Sequence, residues 1–428
     1  MARRRPRLPV DLSASLLAAG LLAALPSMPP PAAGQEVLGP LPELSVQVER
    51  ISDRLLVLDC MDVNVTAVAT ASGVVLIDTQ RSPSLMSALV PFIEIELGQA
   101  NVTHIINTHG HPDHASGNQV FPSAVSIAHA DCPEFMRHNP ADAPGAIEGQ
   151  ERLLDEVRTM LRVATPGSAE AEQLAAEIRG RELLIRDLRE QRYVFTPPVE
   201  VFDDRRSLEA GGVRFELAFA GRAHTNHDLL VHIPDEHVLL TGDLFCSARS
   251  FCFAVTPLAD VTRLVAELDR ILAADPELEV VIPGHGPPLT RTELVGLRSL
   301  LLERYAEFDG RRSAAARLDT LIQEQGLAAA LAAMPPGAGE HRPTTYDSES
   351  EYCALGRRLV WEGRPDAAIA VLQHALTLFP QSPLVYGALG SAHLENHDRQ
   401  AAMACYETVL ELLPEHRGAA DRLRALRR

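Results

Sequence analysis

The run Ile105-Ile106-Asn107-Thr108-His109-Gly110-His111-Pro112-Asp113-His114-Ala115-Ser116-Gly117 constrains this chain more than any other stretch. Three histidines and an aspartate fall within six residues, directly after a short β-branched segment. Neutral imidazoles and a carboxylate are the donors that a divalent, borderline-soft cation such as Zn2+ prefers. The apolar residues from His104 to Asn107 predict a buried strand. Gly117 and the polar residues after His114 predict a turn into a helix. The donors therefore sit where a strand hands over to a loop, a usual place for a site on an α/β scaffold.

Three later segments repeat this form. Gly221-Arg222-Ala223-His224-Thr225 stands just before a strand, Thr241-Gly242-Asp243 ends one, and Pro283-Gly284-His285-Gly286 ends the last. In each, apolar strand residues and a small residue accompany a donor at the tip. Gly242, Gly284 and Gly286 let backbone crowd towards an ion.

Around these segments, strand-like runs appear at 54–58, 65–70 and 74–77, the last ending in Asp78. Ser82-Pro83 opens a helix to about Leu97, with proline near the first turn, where its missing N–H is tolerated. A short strand is expected at 124–128. Residues 146–191 mix charge and apolar side chains at helical spacing and break at Pro166-Gly167, which predicts a helical hairpin inserted between strands. Strands resume at 199–202, 213–217, 229–233, 238–241 and 280–282, with a helix at about 260–274. Strands alternating with helices predict a layered architecture.

After about Leu302 the chain reads as helical. Leu355-Gly356 recurs as Leu389-Gly390, Ala367-Ala368 as Ala401-Ala402, and Pro380 as Pro414, always 34 residues apart. That offset resembles tetratricopeptide (TPR) repeats, in which small residues let paired helices approach and proline ends the second helix. Two units plus a terminal helix bury little alone, because about three are normally needed. They are expected to pack on helices at 311–333, on the preceding domain or on a second subunit. A protein or peptide partner, or a homodimer, is expected in this region.

The N-terminus reads as an export signal rather than as fold. Arg3-Arg4-Arg5 and Arg7 precede an apolar stretch at 13–25, and Ala32-Ala33-Gly34 precedes Gln35. The stretch is short for a transmembrane helix, which needs about 20 residues. The expected location is periplasmic or secreted, with an uncleaved membrane anchor as the alternative. No other apolar run reaches spanning length, so no stable membrane insertion is expected after cleavage. Export would place the protein in an oxidising space. The six cysteines form no C-x-x-C pair. Most read as buried small hydrophobes, although Cys246 and Cys252 are close enough in sequence to bridge. A net charge of −18 argues against a nucleic-acid partner, which needs a basic footprint. Aromatic residues at 4%, with one tryptophan, argue against large stacking platforms.

The order H-x-H-x-D-H, lone His, Gly-Asp, Pro-Gly-His-Gly resembles the metallo-β-lactamase-fold hydrolase superfamily, over about 48–305. The resemblance implies an α+β fold, a four-layer αβ/βα sandwich with a dinuclear metal site at one sheet edge, followed here by an all-α TPR-like region. It divides the chain into a signal peptide (1–34), a linker (35–47), a hydrolase domain (48–308, with the helical insertion at about 146–191), a helical linker (309–345) and TPR-like repeats (346–428). By the family pattern His109, His111 and His224 hold one metal, Asp113, His114 and His285 hold the other, and Asp243 bridges both. Asp78 matches a position that orients a ligand.

Asp243 sharpens the class. The zinc β-lactamases that hydrolyse antibiotics best usually carry Cys or Ser there, whereas a bridging Asp is the pattern of glyoxalase II-like thioesterases, lactonases and related esterases. The expected function is an exported hydrolase that cleaves an ester, thioester, lactone or amide bond of a small-molecule substrate. Two Zn2+ about 3.5–4 Å apart would bring a bound water's pKa towards ~7, supply a bridging hydroxide and polarise the carbonyl, with Asp113 handling the proton. No Gly-x-Ser-x-Gly elbow is present. One alternative is a persulfide dioxygenase-like enzyme with a single Fe2+ on His109, His224 and Asp243. True β-lactamase activity is another. A TPR scaffold with a relic fold is a third. His227 lies beside His224 and is expected near substrate, while Asp228 reads as a loop hydrogen-bonder and His232 as structural or surface.

Overall fold

In a computed structural model of the chain, the described residues are 44 and 46–427, except 143–144, 248–249, 254, 256–257, 307–311, 335–344 and 347. The expected signal peptide and most of the 35–47 linker lie outside them. No helix among the described residues is long and apolar enough to cross a membrane.

Four strands open the chain: β1 (Val46–Arg50), β2 (Leu55–Cys60), β3 (Val63–Thr70) and β4 (Gly73–Ile77). Helix α1 (Pro83–Leu97) follows, with Ser82 accepting from the Leu85 N–H and Gly98 closing it in the left-handed region. Strand β5 (Val102–Ile106) runs into the histidine cluster, whose last residues form the single turn α2 (Pro112–Ala115). Next come β6 (Val125–His129), α3 (Cys132–His138) and the two long helices α4 (Ala146–Val163) and α5 (Ala169–Arg189). Strands β7 (Glu200–Phe202), β8 (Arg205–Ala210), β9 (Val213–Phe219), β10 (Leu229–Ile233) and β11 (Val238–Gly242) lead to a small hairpin of β12 (Phe245–Ser247) and β13 (Ser250–Phe251). Helix α6 (Val261–Ala274), strands β14 (Val280–Pro283) and β15 (Leu289–Thr290), and helix α7 (Arg291–Ala306) complete this part. Among the described residues that follow are the helices α8 (Ala314–Gln325), α9 (Leu327–Ala333), α10 (Glu349–Trp361), α11 (Pro365–Leu378), α12 (Pro383–Glu395), α13 (Arg399–Leu412) and α14 (Arg417–Leu426), with two short strands, β16 (Arg312–Ser313) and β17 (Thr345–Tyr346), paired in parallel.

The chain divides into two compact units. One holds the described residues up to Ile106 with Asp113–Val125 and Ala141–Thr196; the other holds Asn107–Pro112, Ser126–Pro140 and the chain from Pro197 onward.

In the first unit β1 to β5 are hydrogen-bonded in sequence order. The first four are antiparallel, and β4 runs parallel to β5. One sheet face, with Leu56, Leu58, Val65, Ala67 and Leu76, packs against Leu85, Met86, Leu89 and Ile93 of α1 and Leu183 of α5. Each fully buried aliphatic side chain contributes about 1.5–3 kcal/mol. Helix α5 is held by a polar contact as well: Asp187 accepts from the Ser84 N–H at 3.0 Å and from its hydroxyl at 2.7 Å.

In the second unit β6 and β7 pair in parallel. A six-stranded sheet runs β15-β14-β11-β10-β9-β8, antiparallel except for the parallel pair β11 and β14. Leu264, Leu268 and Ile271 of α6 and Leu294, Leu297 and Leu301 of α7 cover Leu230, Leu239 and Val281. Several elements are not expected from the sequence, β8 and α3 among them. β8 is an edge strand whose exposed Arg205 and Glu209 mask its period, and α3 is a helix of seven residues whose buried side chains are only Cys132, Phe135 and Met136.

The helical region repeats as its sequence does. Helices α10 and α12 begin 34 residues apart, as do α11 and α13. A Cβ added at Gly356 would meet Leu372 at 2.8 Å, so the small residue sets the approach of α10 and α11. The repeat core is continuous with the preceding helices: Leu318 and Ile322 of α8 and Ala330 of α9 bury with Tyr352, Leu355 and Leu359 of α10.

Candidate metal centre

The second unit places four of the expected donors together. Asn107 and Thr108 fix the loop, because the Asn107 N–H donates to Ile127 and the Thr108 carbonyl accepts from the Leu229 N–H at 2.8 Å. This seats the 107–112 loop between β6 and β10. The parallel pairing of β11 and β14 sets Asp243 beside His285, and the Gly284 N–H donates to the Gly242 carbonyl at 2.8 Å. Gly242 has φ of +51°, and a Cβ there would meet the Thr108 hydroxyl at 2.6 Å. Only glycine lets the strand end come so close to the histidine loop.

His109 Nε2 and His224 Nε2 each lie 3.0 Å from His111 Nδ1. Asp243 Oδ2 lies 3.8 Å from His109 Nε2, 3.5 Å from His224 Nε2 and 3.2 Å from His285 Nε2. One donor atom from each of His109, His111, His224 and Asp243 lies within 4.8 Å of all the others. Four ligands at zinc distances around a tetrahedral ion would stand about 3.3 Å apart. The spacing observed is therefore that of a ligand set.

The outward nitrogens agree. His224 Nδ1 donates to the Cys252 carbonyl at 2.8 Å, which leaves the Nε2 lone pair facing the cluster. A disulfide joins Cys246 to Cys252 across the β12–β13 hairpin that carries this carbonyl. Cys60, Cys132, Cys353 and Cys405 are buried free thiols. His109 Nδ1 lies 3.1 Å from the Thr108 hydroxyl.

In the first unit, His114 Nδ1 lies 3.0 Å from Asp78 Oδ2, and His114 Nε2 lies 3.9 Å from Asp113 Oδ1. Asp78 follows β4 with φ of +61°, a left-handed conformation that aspartate tolerates better than most residues. The Thr79 N–H then donates to the His114 carbonyl at 2.8 Å. His114 is thus held from its ring and its backbone, with Nδ1 occupied and Nε2 presented.

His227 is fully buried. Its Nε2 accepts from the Gly110 N–H at 2.8 Å, and its Nδ1 meets the Asn226 side-chain oxygen Oδ1 at 2.8 Å. Burial holds this imidazole well below its usual range, reinforced by His111, so it is neutral. Nε2 of this residue, expected beside substrate, serves the loop that carries His109 and His111, and Nδ1 is engaged by its neighbour Asn226. Asp228 accepts from the Thr225 N–H at 2.8 Å and from its hydroxyl at 2.6 Å, and burial pushes its carboxyl up. His232 is buried, with Nε2 3.1 Å from Asp275.

Two residues at this site carry no motif. Phe135 stacks near His227 and His111, with ring centroids 4.5 and 5.2 Å away. Trp361 stands perpendicular to His111 with centroids 6.2 Å apart. The only sequence signal for Trp361 was its being the sole tryptophan.

Comparison with known proteins gives the family. The sequence profile described as "Metallo-beta-lactamase superfamily" matches residues 58–285, and one described as "Tetratricopeptide repeat" matches residues 359–426. The chain is 26% identical to the "Metallo-beta-lactamase type 2" of Bacteroides fragilis over 110 residues, which span 26% of this chain and 44% of that protein. It is 23% identical to the protein of that name from Bacillus cereus over 235 residues, 54% of this chain and 68% of that one. Among solved structures, a metallo-beta-lactamase from Pontibacter korlensis superposes with a TM-score of 0.40 at 19% identity, over 60% of this chain and 99% of that one. The sec-alkylsulfatase Pisa1 from Pseudomonas sp. superposes with a TM-score of 0.43 at 14% identity, over 85% of this chain and 65% of that one. With two sheets and their helices forming the αβ domain and a TPR region after it, the chain belongs to the metallo-beta-lactamase superfamily.

Proposed function

We propose that this protein is an exported zinc-dependent hydrolase that cleaves an ester, thioester, lactone or amide bond of a small molecule. The observation that carries this reading is the donor set of His109, His111, His224 and Asp243 at ligand–ligand spacing, with the His224 lone pair turned inward. The ligand assignment is the one the motif order implies: His109, His111 and His224 for one ion, Asp113, His114 and His285 for the other, Asp243 shared. Bound zinc supplies Lewis acidity and water that ionises near neutral pH. The chain's own residues do the rest. Asp78 holds His114 in one tautomer, the Cys252 carbonyl does the same for His224, and His227 holds the backbone between His109 and His111. Asp113, partly exposed, would take and return a proton. Export is supported by the Cys246–Cys252 disulfide, which persists in oxidising compartments. The 146–191 hairpin is assigned to shaping the substrate entrance, and the TPR region to a protein or peptide partner.

The test is metal content together with a hydrolysis panel: a thioester, a homoserine lactone, phenyl acetate and a chromogenic cephalosporin. Two zinc ions per chain, hydrolysis of a non-lactam probe, and loss of both in His111→Ala are expected. One iron per chain, or full activity in an Asp113→Ala, His111→Ala double variant, would overturn the reading.

A further inference from the structure

The last turn of α10 reaches the histidine cluster. Trp361, its final residue, sets its indole perpendicular to the His111 ring and is 42% exposed. This turn is seated from several sides. The Asn139 side chain donates to the Trp361 carbonyl at 2.9 Å. Gly363, with φ of +69°, lies so close to α3 that an added Cβ would meet the His138 ring at 2.1 Å. Asp319 of α8 pairs with Arg358 of α10 and, at 3.4 Å, with Arg222, two residues before His224. Through Asp319 of α8, the repeat region is therefore keyed to the segment that carries a metal-ligand candidate.

We propose that Trp361 is a substrate-contacting, specificity-determining residue: the TPR-like region supplies one wall of the active site and selects substrates with an aromatic or other flat apolar group beside the reacting carbonyl. This rests on the hydrolase reading. Single exposed apolar residues are ordinary on a protein surface. This one differs in facing His111, with Phe135 packed behind the same imidazole. The charge beside it favours a neutral group. The cleft of about 200 Å3 next to the turn is lined by Asp131, Glu134 and Glu362 against Arg222 and Arg364. Arg222 is engaged by Asp319, and Arg364 lies 3.6 Å from Glu362. Both cations that line it are already engaged, while a partly exposed indole whose centroid lies 6.2 Å from that of a ligand-candidate ring can receive a flat apolar group. Hydrolysis then adds water across the acyl bond, hydroxyl to the acyl carbon and proton to the leaving group.

Because Trp361 is the sole tryptophan, its emission reports only this wall. In the zinc-loaded full chain, phenylacetate should quench that emission saturably and acetate should not. In parallel, acetyl and phenylacetyl probes are compared, both as thioesters of N-acetylcysteamine and as methyl esters. Trp361→Ala should lower the phenylacetyl-to-acetyl ratio of kcat/KM about tenfold, the upper range of an aromatic contact, and Trp361→Phe should keep most of it. Hydrolysis by the wild type with no quenching and an unchanged ratio in Trp361→Ala overturns the assignment of Trp361 and leaves the hydrolase reading intact. Quenching with an unchanged ratio overturns the specificity role. Saturable quenching without hydrolysis of any probe overturns the hydrolase reading and retains Trp361 at the mouth of the site.

Discussion

His224 Nδ1 donates to the carbonyl oxygen of Cys252 at 2.8 Å, so a backbone group of a disulfide-closed hairpin sets the tautomer of a metal-ligand candidate. A carbonyl cannot be removed by substitution, but its hairpin can be loosened. The Cys246→Ser, Cys252→Ser double variant should hold zinc several-fold more weakly, less than the ~10–100-fold that direct loss of an orienting partner produces. Competition with a chromogenic chelator measures this. Unchanged affinity would mean that the hairpin keeps its shape without the bridge.

His227 offers a sharper contrast between holding and ligating. His227→Phe keeps volume beside Phe135 but removes the acceptor of the Gly110 N–H. A buried donor left without its partner costs about 1–3 kcal/mol. Urea denaturation of the metal-stripped protein should show that loss, because it belongs to the loop and not to the ion. If stability falls only when zinc is present, His227 acts on the metal and the positioning role fails.

Asp187 tests the anchoring of the inserted helices. Its carboxylate accepts two hydrogen bonds from Ser84 at the first turn of α1. Asp187→Ala should strand the Ser84 N–H and hydroxyl at a cost of about 1–3 kcal/mol. Limited proteolysis should then cut within 146–191 at protease levels that leave the wild type whole. Equal resistance would place the hold of α5 in Leu183 and its apolar neighbours.

A pH effect is expected away from the metal residues. Asp275, at the end of α6, lies 2.8 Å from His237 Nδ1 and 3.1 Å from His232 Nε2. The hydrogen bond to Asp275 raises the His237 pKa. Burial pushes the Asp275 carboxyl up, but the hydrogen bonds from the two histidines outweigh it and hold the carboxyl below its usual range. A raised histidine pKa stabilises the fold below the unfolded value of about 6.5, and that stability is lost as pH rises through the folded value. A lowered carboxyl pKa stabilises above about 3.9, and that part is lost as pH falls through the folded value. Both contributions are present between about pH 4 and 6.5. The exposed His237 ring limits the pair to about 0.2–1 kcal/mol. The stability gap between wild type and His237→Ala should be wider at pH 5.5 than at pH 8.5 in thermal melts; a gap independent of pH would remove the ionic part.

Much of the architecture was legible because local patterns agree with what the fold requires. Ser82-Pro83 predicts the start of α1, and it begins there because the serine caps and the proline needs no donor. The 34-residue offset predicts paired helices, and Gly356 against Leu372 shows why small residues recur. The edge strand β8 was not legible, since its outward residues are charged and only pairing with β9 defines it.

For the site, the sequence by itself determined which residues can donate to a metal, since imidazole and carboxylate chemistry is a property of residue type and strand-end glycines mark their surroundings. Only the tertiary structure decided what those residues do to one another. It turned the His224 lone pair inward through a carbonyl 28 residues away, set His227 Nε2 against the Gly110 N–H of the histidine loop, and brought Trp361 from the repeat region to His111. Tautomer, burial and approach depend on partners distant in the chain, and no local pattern records them.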